Sequence, residues 1–361
     1  MTFALLTAGM TWAQSPKATV LFGKYYQDNE GQMLSPVEWN VLDEKGGKTL
    51  LITAKTIDSK PFHQKRKAVT WDRCDLRQWL NGAFLQTAFT DEEQSAIAVT
   101  DLPAVKNPRF DTPVGKATRD KVFLLSYEEC LRYMPTDADR KNFPTEYAVA
   151  QGCYVNTDGH AAWWLRSNGM NKTEPEHLAT WGNFSLRHHH VDDPIIGDRP
   201  AVWVNTEYLN KQIAKTMEQN LNEVAAFLKE CHVFYIATVE GRSTEGRSQG
   251  ENQPRVRPFG VAEIVDGKLY LTTGRKKDVW KQIEANEGRF EICAQKDGEW
   301  LRISGRLVDD DNAEVRQTIL DRHKYLTRMY TANDGNFVTP YIADGEARFC
   351  SFNGEERRVK F

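Results

Sequence analysis

The chain has 361 residues, more than one typical hydrophobic core organises, so we expect two domains. Hydrophobic residues make up 40% of the chain and charged residues 27%, which is the composition of an ordinary globular protein. The net charge of −3 gives no reason to expect a nucleic acid or a membrane as a partner.

The first fifteen residues, MTFALLTAGMTWAQS, contain a short apolar run. Thr11-Trp12-Ala13 before Gln14 is similar to a signal-peptidase site, but no positively charged segment precedes the run. The run is also too short to span a membrane. Residues 1–17 are therefore either a secretion signal whose start was clipped or a frayed apolar terminus.

Apolar and aromatic periodicity predicts a mixed α/β domain over residues 18–205. Helices are predicted to begin at Thr90 and Ser126, because each hydroxyl precedes acidic residues that favour a first turn. Another helix is predicted to begin near Thr70 and to end at Asn81-Gly82. Strands are predicted over residues 20–25, 37–42, 49–54, 122–125, 163–167 and 197–204.

A histidine run gives a candidate metal site in this first half. His188-His189-His190 precedes Asp192 and Asp193, and imidazole and carboxylate suit several divalent ions. In an extended segment only His188 and His190 face the same side, and the spacing fixes no third ligand. We therefore expect an exposed polar loop, with a metal site as the alternative.

The six cysteines are scattered and form no CxxC pair. A chain of this length with so few cysteines is not a disulfide scaffold, so we expect free thiols, most of them buried. They are Cys74, Cys130, Cys153, Cys231, Cys293 and Cys350.

Several aromatic motifs distinguish the first half from the second. The segments VEWNVLD, TWDRCDLRQWLN, KVFLLS, WWLRS and RPAVWV resemble an uncharacterised bacterial domain family over most of residues 18–205. WWLRS and RPA are also similar to the C-type-lectin-like fold of formylglycine-generating enzymes, although no cysteine pair matches their catalytic site. The resemblance implies a domain that binds a small molecule, a glycan or a protein. Arg166 and Arg199 in these motifs either clamp a carboxylate or stack on tryptophan, and we expect stacking.

Residues 206–217 are predicted to link the two halves as a helix. Apolar residues recur at helical spacing from here into the second half. These residues are Leu209, Ile213, Met217, Leu221, Val224 and Leu228.

The most informative stretch is residues 253–277, QPRVRPFGVAEIVDGKLYLTTGRKK. We predict one strand that continues through Gly260 to Val265, a tight turn at Asp266-Gly267, and a returning strand over residues 269–273. Two threonines, a glycine and three consecutive cations then precede a helix. Hydroxyls, backbone N–H groups at a helix start and positive charge are what a phosphate needs; a solvated basic turn is the alternative.

The elements around this stretch complete a second domain over residues 218–361. A helix (221–230) and a strand (233–239) precede it. After it we predict a helix over 278–286, strands over 289–295 and 300–308, a helix over 312–329, and a hairpin over 341–361. The polar segment EGRSTEGRSQGENQ, residues 240–253, is predicted to be a surface loop.

This order, with the motifs QPRVRPFG and GKLYLTTGRKKDVWKQIEAN, resembles the pyridoxamine 5′-phosphate oxidase-like flavoproteins, the FMN-binding split barrels. The resemblance implies an α+β protein of two domains, a lectin-like mixed α/β domain followed by a split β-barrel. It also implies that RVRPFG lines the isoalloxazine and ribityl chain of FMN. Arg255 and Arg257 are then the polar candidates, and Pro258 and Phe259 supply backbone and apolar contacts.

By the same resemblance, LTTGRKK holds the phosphate of FMN. Thr272 and Thr273 are the hydroxyl donors, and Lys276 or Lys277 is the cation, with Lys277 favoured. Gln282 on the following helix is a weaker contact.

The resemblance further implies a homodimer formed through the barrels, with FMN at the interface. Trp300 then either approaches the flavin across the dimer or is a buried core residue. No Ser/His/Asp or Cys/His nucleophile is visible, so hydrolysis is not expected.

The function implied is an FMN-dependent oxidoreductase that acts on a small molecule. The alternative is a non-catalytic flavin- or haem-binding sensor whose N-terminal domain recognises a ligand. A flavoprotein that needs reduced nicotinamide favours the cytoplasm, with export through a clipped signal as the alternative.

Overall fold

The computed structural model describes residues 18–186, 189–240, 253–354 and 356–361. The chain divides into two compact units, residues up to 213 and residues from 214 onward. Each unit has a hydrophobic core of its own. The possible export signal, His188 and residues 241–252 of the predicted surface loop lie outside the described residues.

The first unit is built on a five-stranded antiparallel sheet with the strand order β1-β2-β3-β9-β6. Two separate ribbons, β4–β5 and β7–β8, accompany the sheet. The strands are β1 (Thr19–Tyr26), β2 (Leu34–Lys45), β3 (Lys48–Thr53), β4 (Thr100–Leu102), β5 (Thr118–Asp120), β6 (Val122–Phe123), β7 (Trp163–Asn171), β8 (Glu174–Leu178) and β9 (Ala201–Asn205).

The centre of this sheet is apolar on both faces. β3 carries Leu50, Leu51 and Ile52 in succession, and all three are buried, as expected for a strand covered on both sides. Trp39 is fully buried beside them and donates its indole N–H to the carbonyl of Phe22 at 2.7 Å. Strands form at all six predicted positions in this region, but two are shorter than predicted: β6 ends at Phe123, and β9 begins only at Ala201. The lectin-like fold stays a prediction.

Short helices surround the sheet. Thr90 and Ser126 begin two of them with reciprocal capping boxes, as predicted. The helices are α1 (Asp75–Trp79), α2 (Leu85–Ala88), α3 (Asp91–Ala96), α4 (Tyr127–Tyr133), α5 (Asp137–Arg140) and α6 (Glu146–Ala150), with a 3₁₀ turn at Trp71–Arg73 and a π turn at Leu80–Phe84.

The predicted helix end at Asn81-Gly82 is wrong. The chain continues through this pair as the π turn and then as α2. The Asn81 amide donates to the carbonyls of Arg77 and Val122 at 3.1 and 2.8 Å, and its oxygen accepts the N–H of Lys121 at 2.9 Å. Asn81 therefore ties a widened helical turn to the strand that follows Lys121, instead of ending the helix.

A continuous helix, α7 (Thr206–Cys231), connects the two halves, as the apolar spacing predicts. Leu209 belongs to the core of the first unit, and Val224 and Leu228 belong to the core of the second. The division between the units falls within this helix.

The second unit contains an eight-stranded antiparallel sheet. Its main path is β11-β10-β15-β16-β18-β13-β12, β19 pairs with β18, and β14 and β17 form a separate ribbon. The strands are β10 (Phe234–Val239), β11 (Pro254–Phe259), β12 (Ala262–Val265), β13 (Lys268–Leu271), β14 (Thr273–Gly274), β15 (Arg289–Lys296), β16 (Glu299–Val308), β17 (Phe337–Val338), β18 (Tyr341–Ser351) and β19 (Glu356–Lys360).

Two helices belong to this unit, α8 (Asp278–Ala285) and α9 (Ala313–Arg322). The helix predicted over residues 312–329 is only partly correct. It ends at Arg322, and a 3₁₀ turn over Lys324–Arg328 follows.

The continuous strand predicted from Arg255 to Val265 is wrong. The chain leaves the sheet at Gly260 and Val261, and the two parts have different partners: β11 pairs with β10, and β12 pairs with β13. These two strands are the opposite ends of the sheet path. Because only two residues join those ends, the sheet curls on itself into a half barrel.

The tight turn at Asp266-Gly267 is confirmed. Both residues have positive φ, 46° and 73°, which is the backbone of a two-residue hairpin turn and suits Asp followed by Gly. β12 and β13 pair on either side of it, from Val265 with Lys268 to Ala262 with Leu271.

All six cysteines are free thiols, as expected, but only Cys74, Cys130 and Cys153 are buried. Cys231 and Cys350 are half-buried, and Cys293 is exposed on β15. No helix in the part of the chain that the structure describes is both long and apolar enough to cross a membrane.

Candidate functional site

Three cations precede α8 in the second unit, and they differ in their partners. Arg275 binds Asp309 at 2.6 Å and Glu284 at 3.6 Å, so carboxylates balance its charge. Lys276 and Lys277 have no such carboxylate among the described residues. Lys277 stands at the residue before the helix with extended backbone, and its Nζ lies 6.0 Å from the ring centroid of Tyr330. Two uncompensated ammonium groups therefore lie at the amino end of a helix.

Hydroxyl groups lie beside these lysines. Thr272 is half-buried and Thr273 is buried, and neither hydroxyl bonds to another described residue. Thr273 pairs with Val338, the last residue of β17, so Thr339 comes directly after that strand. Among the described residues, neither the fully buried Thr339 hydroxyl nor the indole N–H of Trp280 in the first turn of α8 has a hydrogen-bond partner. Leaving a buried polar group without a hydrogen-bond partner costs free energy. These two groups therefore favour a site in which a polar group of a ligand binds.

Arg257 lies against the same helix. Its guanidinium donates to Thr238 Oγ1 at 2.9 Å and to Gln282 Oε1 at 2.7 Å. The Thr238 hydroxyl donates to Gln282 Oε1 at 2.7 Å. These partners are neutral, and no carboxylate in the described part of the chain pairs with the half-buried Arg257. The structure thus brings Arg257 and Gln282 together.

The other candidates from RVRPFG have different contacts. Arg255 is exposed and binds Glu240 at 2.8 Å. Pro258 pairs with Tyr235, whose side chain is exposed on the outer face of the sheet, whereas Arg257 points to the helix side. Phe259 packs against Phe234 with a centroid distance of 6.1 Å.

Trp300 lies in another part of the sheet, where β16 pairs with β15 and β18. Its side chain is half-buried, and its ring centroid is 5.2 Å from that of Phe352. It is not a member of the buried core, so the core alternative for Trp300 is wrong.

Sequence reasoning missed Thr238, Trp280, Thr339 and Asn336. Asn336 accepts the backbone N–H of Arg275 on its carbonyl at 2.7 Å and that of Lys276 on its side-chain oxygen at 3.1 Å. Thr238, Thr339 and Asn336 are distant in sequence from LTTGRKK and carry no local motif. Their membership of the candidate site becomes apparent only when the strand pairing is known.

The two arginine candidates of the first unit, Arg166 and Arg199, both contact other residues of that unit. Arg166 binds Glu129 through both terminal guanidinium nitrogens, Nη1 and Nη2. The guanidinium of Arg199 lies 5.1 Å from the ring centroid of Trp163, so the stacking expected for Arg199 is confirmed.

The described members of the histidine run each face a carboxylate. His189 lies 3.0 Å from Asp193, and His190 lies 3.7 Å from Glu174. Within the described ranges, no group of three or more His, Cys, Asp or Glu side chains is arranged to hold a metal.

Comparison with known proteins gives one sequence-family match and a set of similar solved structures. The sequence profile of a domain of unknown function, DUF6273, matches residues 46–206. The solved structures to which the chain is similar include pyridoxamine 5′-phosphate oxidase-like, NimC/NimA-family and FMN-binding proteins. They cover only about 40% of the chain. No protein of curated function matches.

Three of these structures show how widely the sequence identity to this chain varies. A NimC/NimA-family protein from Clostridium acetobutylicum is 35% identical over 41% of this chain and 96% of its own, with a TM-score of 0.37. A pyridoxamine 5′-phosphate oxidase-related, FMN-binding protein from Nostoc punctiforme is 13% identical over 40% of this chain and 93% of its own, with a TM-score of 0.25. A heme-binding protein from Mycobacterium smegmatis is 14% identical over 39% of this chain and 57% of its own, with a TM-score of 0.30.

Proposed function

We propose that the second unit binds FMN and that the protein is an FMN-dependent oxidoreductase acting on a small molecule. The observation that carries this proposal is the position of Lys276 and Lys277 at the amino end of α8, beside Thr272 and Thr273, where no described carboxylate pairs with the lysines and no described residue bonds to the hydroxyls. The partial positive charge of the first helical turn adds to theirs. A phosphate monoester fits this donor set because it accepts several hydrogen bonds and carries the opposite charge.

The chain's own residues have distinct roles in this proposal. Lys277 and the hydroxyls of Thr272 and Thr273 hold the phosphate. Arg257, fixed by its bonds to Thr238 and Gln282, offers positive charge to the polar atoms of the bound group. FMN, when bound, supplies hydride or electron transfer, while the protein provides orientation and electrostatics.

We also propose that two copies of the chain pair through the outer face of β10 and β11. Tyr235, Val239 and Val256 are 52%, 39% and 63% exposed on this face. Opposite residues of the two strands share it, so Pro254 and Pro258 belong to the same apolar patch. Such a patch on a soluble protein is typical of a surface that another molecule covers.

The proposal is tested by the absorption spectrum of the full-length protein, titrated with FMN. Lys277→Ala and Arg257→Ala are each compared with a matched control from the same element. Lys281→Ala removes an exposed lysine of α8 that pairs with Asp278, and Arg255→Ala removes an exposed arginine of β11. We expect binding near one FMN per chain, about tenfold weaker in each test variant and nearly unchanged in each control.

Three outcomes would contradict the proposal. A protein that does not bind FMN has no such site, and a Soret band would identify a haem protein instead. Bound FMN that NADH does not reduce would favour the non-catalytic alternative.

A further inference from the structure

Two exposed aromatic side chains of the first unit line one cleft. Tyr154 is 54% exposed and Trp181 is 51% exposed, and the cleft has a volume of about 630 Å³. This volume is within the range of small-molecule sites in proteins. An aromatic pair exposed beside a concave surface is the usual platform for a ring-shaped ligand.

The turn that presents Trp181 is rigid. It follows β8 and is closed by hydrogen bonds from Gly182 N to Ala179 O at 2.8 Å and from Ala179 N to Asn183 O at 2.9 Å. Gly182 has a φ of +84°, and a Cβ at this position would lie 1.9 Å from the carbonyl oxygen of Asp137. Only glycine therefore allows the turn to pack against α5.

A buried arginine, Arg140, also holds this turn in place. Arg140 donates from Nε to the carbonyl of Gly182 at 2.7 Å. The ammonium of Lys141 lies 5.7 Å from the ring centroid of Trp181 and helps to orient the ring. Trp181 is therefore held in place before any ligand arrives, which lowers the entropic cost of binding.

The polar groups of the cleft are amides, hydroxyls and imidazoles. None of the described residues that line it is Asp, Glu, Lys or Arg, although such residues make up 27% of the chain. Thr180 is only 7% exposed, and its hydroxyl bonds to no other described residue. The His189 ring is held by Asp193 at 3.0 Å from Nδ1. The lining residues therefore offer hydrogen bonds but no carboxylate, ammonium or guanidinium group of their own, since Lys141 near Trp181 is not one of them.

We propose that this cleft binds a neutral saccharide. The apolar face of a sugar ring packs on Trp181, and its hydroxyls bond to Thr180 and Asn183. A charged ligand would lose water without gaining an ion pair from the described lining, and a purely apolar ligand would leave the Thr180 hydroxyl unpaired. The site lies within the first unit, so the inference is independent of FMN binding by the second.

The test is binding of the full-length protein to an array of neutral hexose and N-acetylhexosamine oligosaccharides, with sialylated and sulfated versions alongside. Titration calorimetry with the best-bound neutral glycan then compares three variants. We expect Trp181→Ala to weaken binding at least about tenfold and Trp181→Phe to retain most of it. Phe143→Ala is the matched control, because Phe143 is an equally exposed aromatic outside the cleft.

Several results would overturn the proposal. These are failure to bind any neutral glycan, preference for the acidic versions, or binding that Trp181→Ala leaves unchanged. If Trp181→Ala does not fold, Thr180→Val replaces it, since this variant removes only the hydroxyl and keeps the side-chain shape. Unchanged binding by Thr180→Val would then count against the proposal.

Discussion

Asp198 in the first unit is fully buried, and its two oxygens have different surroundings. Oδ2 accepts the backbone N–H of Lys60 at 2.8 Å, whereas Oδ1 has no partner. Burial raises the pKa of Asp198 well above its usual range, and the nearby charge of Asp58 raises it further. The folded protein therefore binds this proton more tightly than the unfolded chain does. The stability it contributes is present below the usual carboxyl pKa and is lost as the pH rises toward the raised one.

We predict that Asp198→Asn stabilises the protein increasingly as the pH rises above about 4. The amide keeps the bond to Lys60 through its oxygen and carries no charge to desolvate. The gain in unfolding free energy should grow by up to about 1.4 kcal/mol per pH unit until the raised pKa is reached. Denaturant unfolding across pH 4 to 8 measures it, with the exposed Asp158→Asn as control. A pH-independent difference would contradict the prediction.

The role of Lys277 can be separated from that of the rest of the FMN site. Riboflavin lacks the phosphate, so Lys277→Ala should weaken FMN binding about tenfold and leave riboflavin binding nearly unchanged. Arg257→Ala should weaken both flavins, because the proposal places it on other polar atoms. Fluorescence titration of each flavin measures the four affinities. Equal losses for both flavins with Lys277→Ala would show that Lys277 does not hold the phosphate.

At the scale of elements, the cap of α4 also supports a buried ion pair. Ser126 Oγ accepts the N–H of Glu129 at 3.2 Å, and Glu129 accepts the N–H of Ser126 at 2.8 Å. The same carboxylate binds Arg166, whose side chain is almost fully buried.

Ser126→Ala is predicted to lower the unfolding free energy by about 1 kcal/mol, the usual loss for a helix cap. Glu129→Ala should cost more, at least about 2 kcal/mol, because it also leaves the buried Arg166 without a counter-charge. Chemical denaturation compares the two variants. A smaller loss for Glu129→Ala than for Ser126→Ala would contradict this account.

Local chemistry in the sequence predicts elements well, and it predicts their partners poorly. The turn at Asp266-Gly267 and the caps at Thr90 and Ser126 depend on neighbouring residues, so they could be predicted. The split at Gly260 depends on which distant strand each half pairs with, and no local pattern carries that information. The candidate site shows the same difference. The lysines could be predicted from the sequence, whereas Thr339 is brought near Thr273 only by the pairing of β17 with β14.

At the scale of the whole molecule, the proposed dimer gives a prediction about mass. Light scattering should give twice the 41.3 kDa of the chain for the natural protein. Val256→Glu should give the single-chain mass, because it places a charge in the middle of the apolar patch.

Met329→Glu is the control for this prediction. Met329 is as exposed as Val256 and belongs to the same unit, but it lies outside β10 and β11. A natural protein with the single-chain mass, or a Met329→Glu variant that dissociates as readily as Val256→Glu, would exclude this interface.

The position of β18 in the sheet has a consequence for synthesis of the chain. β18 lies between β16 and β13, although it comes after both in sequence and near the carboxyl end. While the ribosome is still making residues 341–351, the strands on both sides of that gap have already been translated and have open edges. Such edges are where nascent chains pair wrongly or aggregate. The second unit is therefore expected to need protection by chaperones until β18 has left the ribosome.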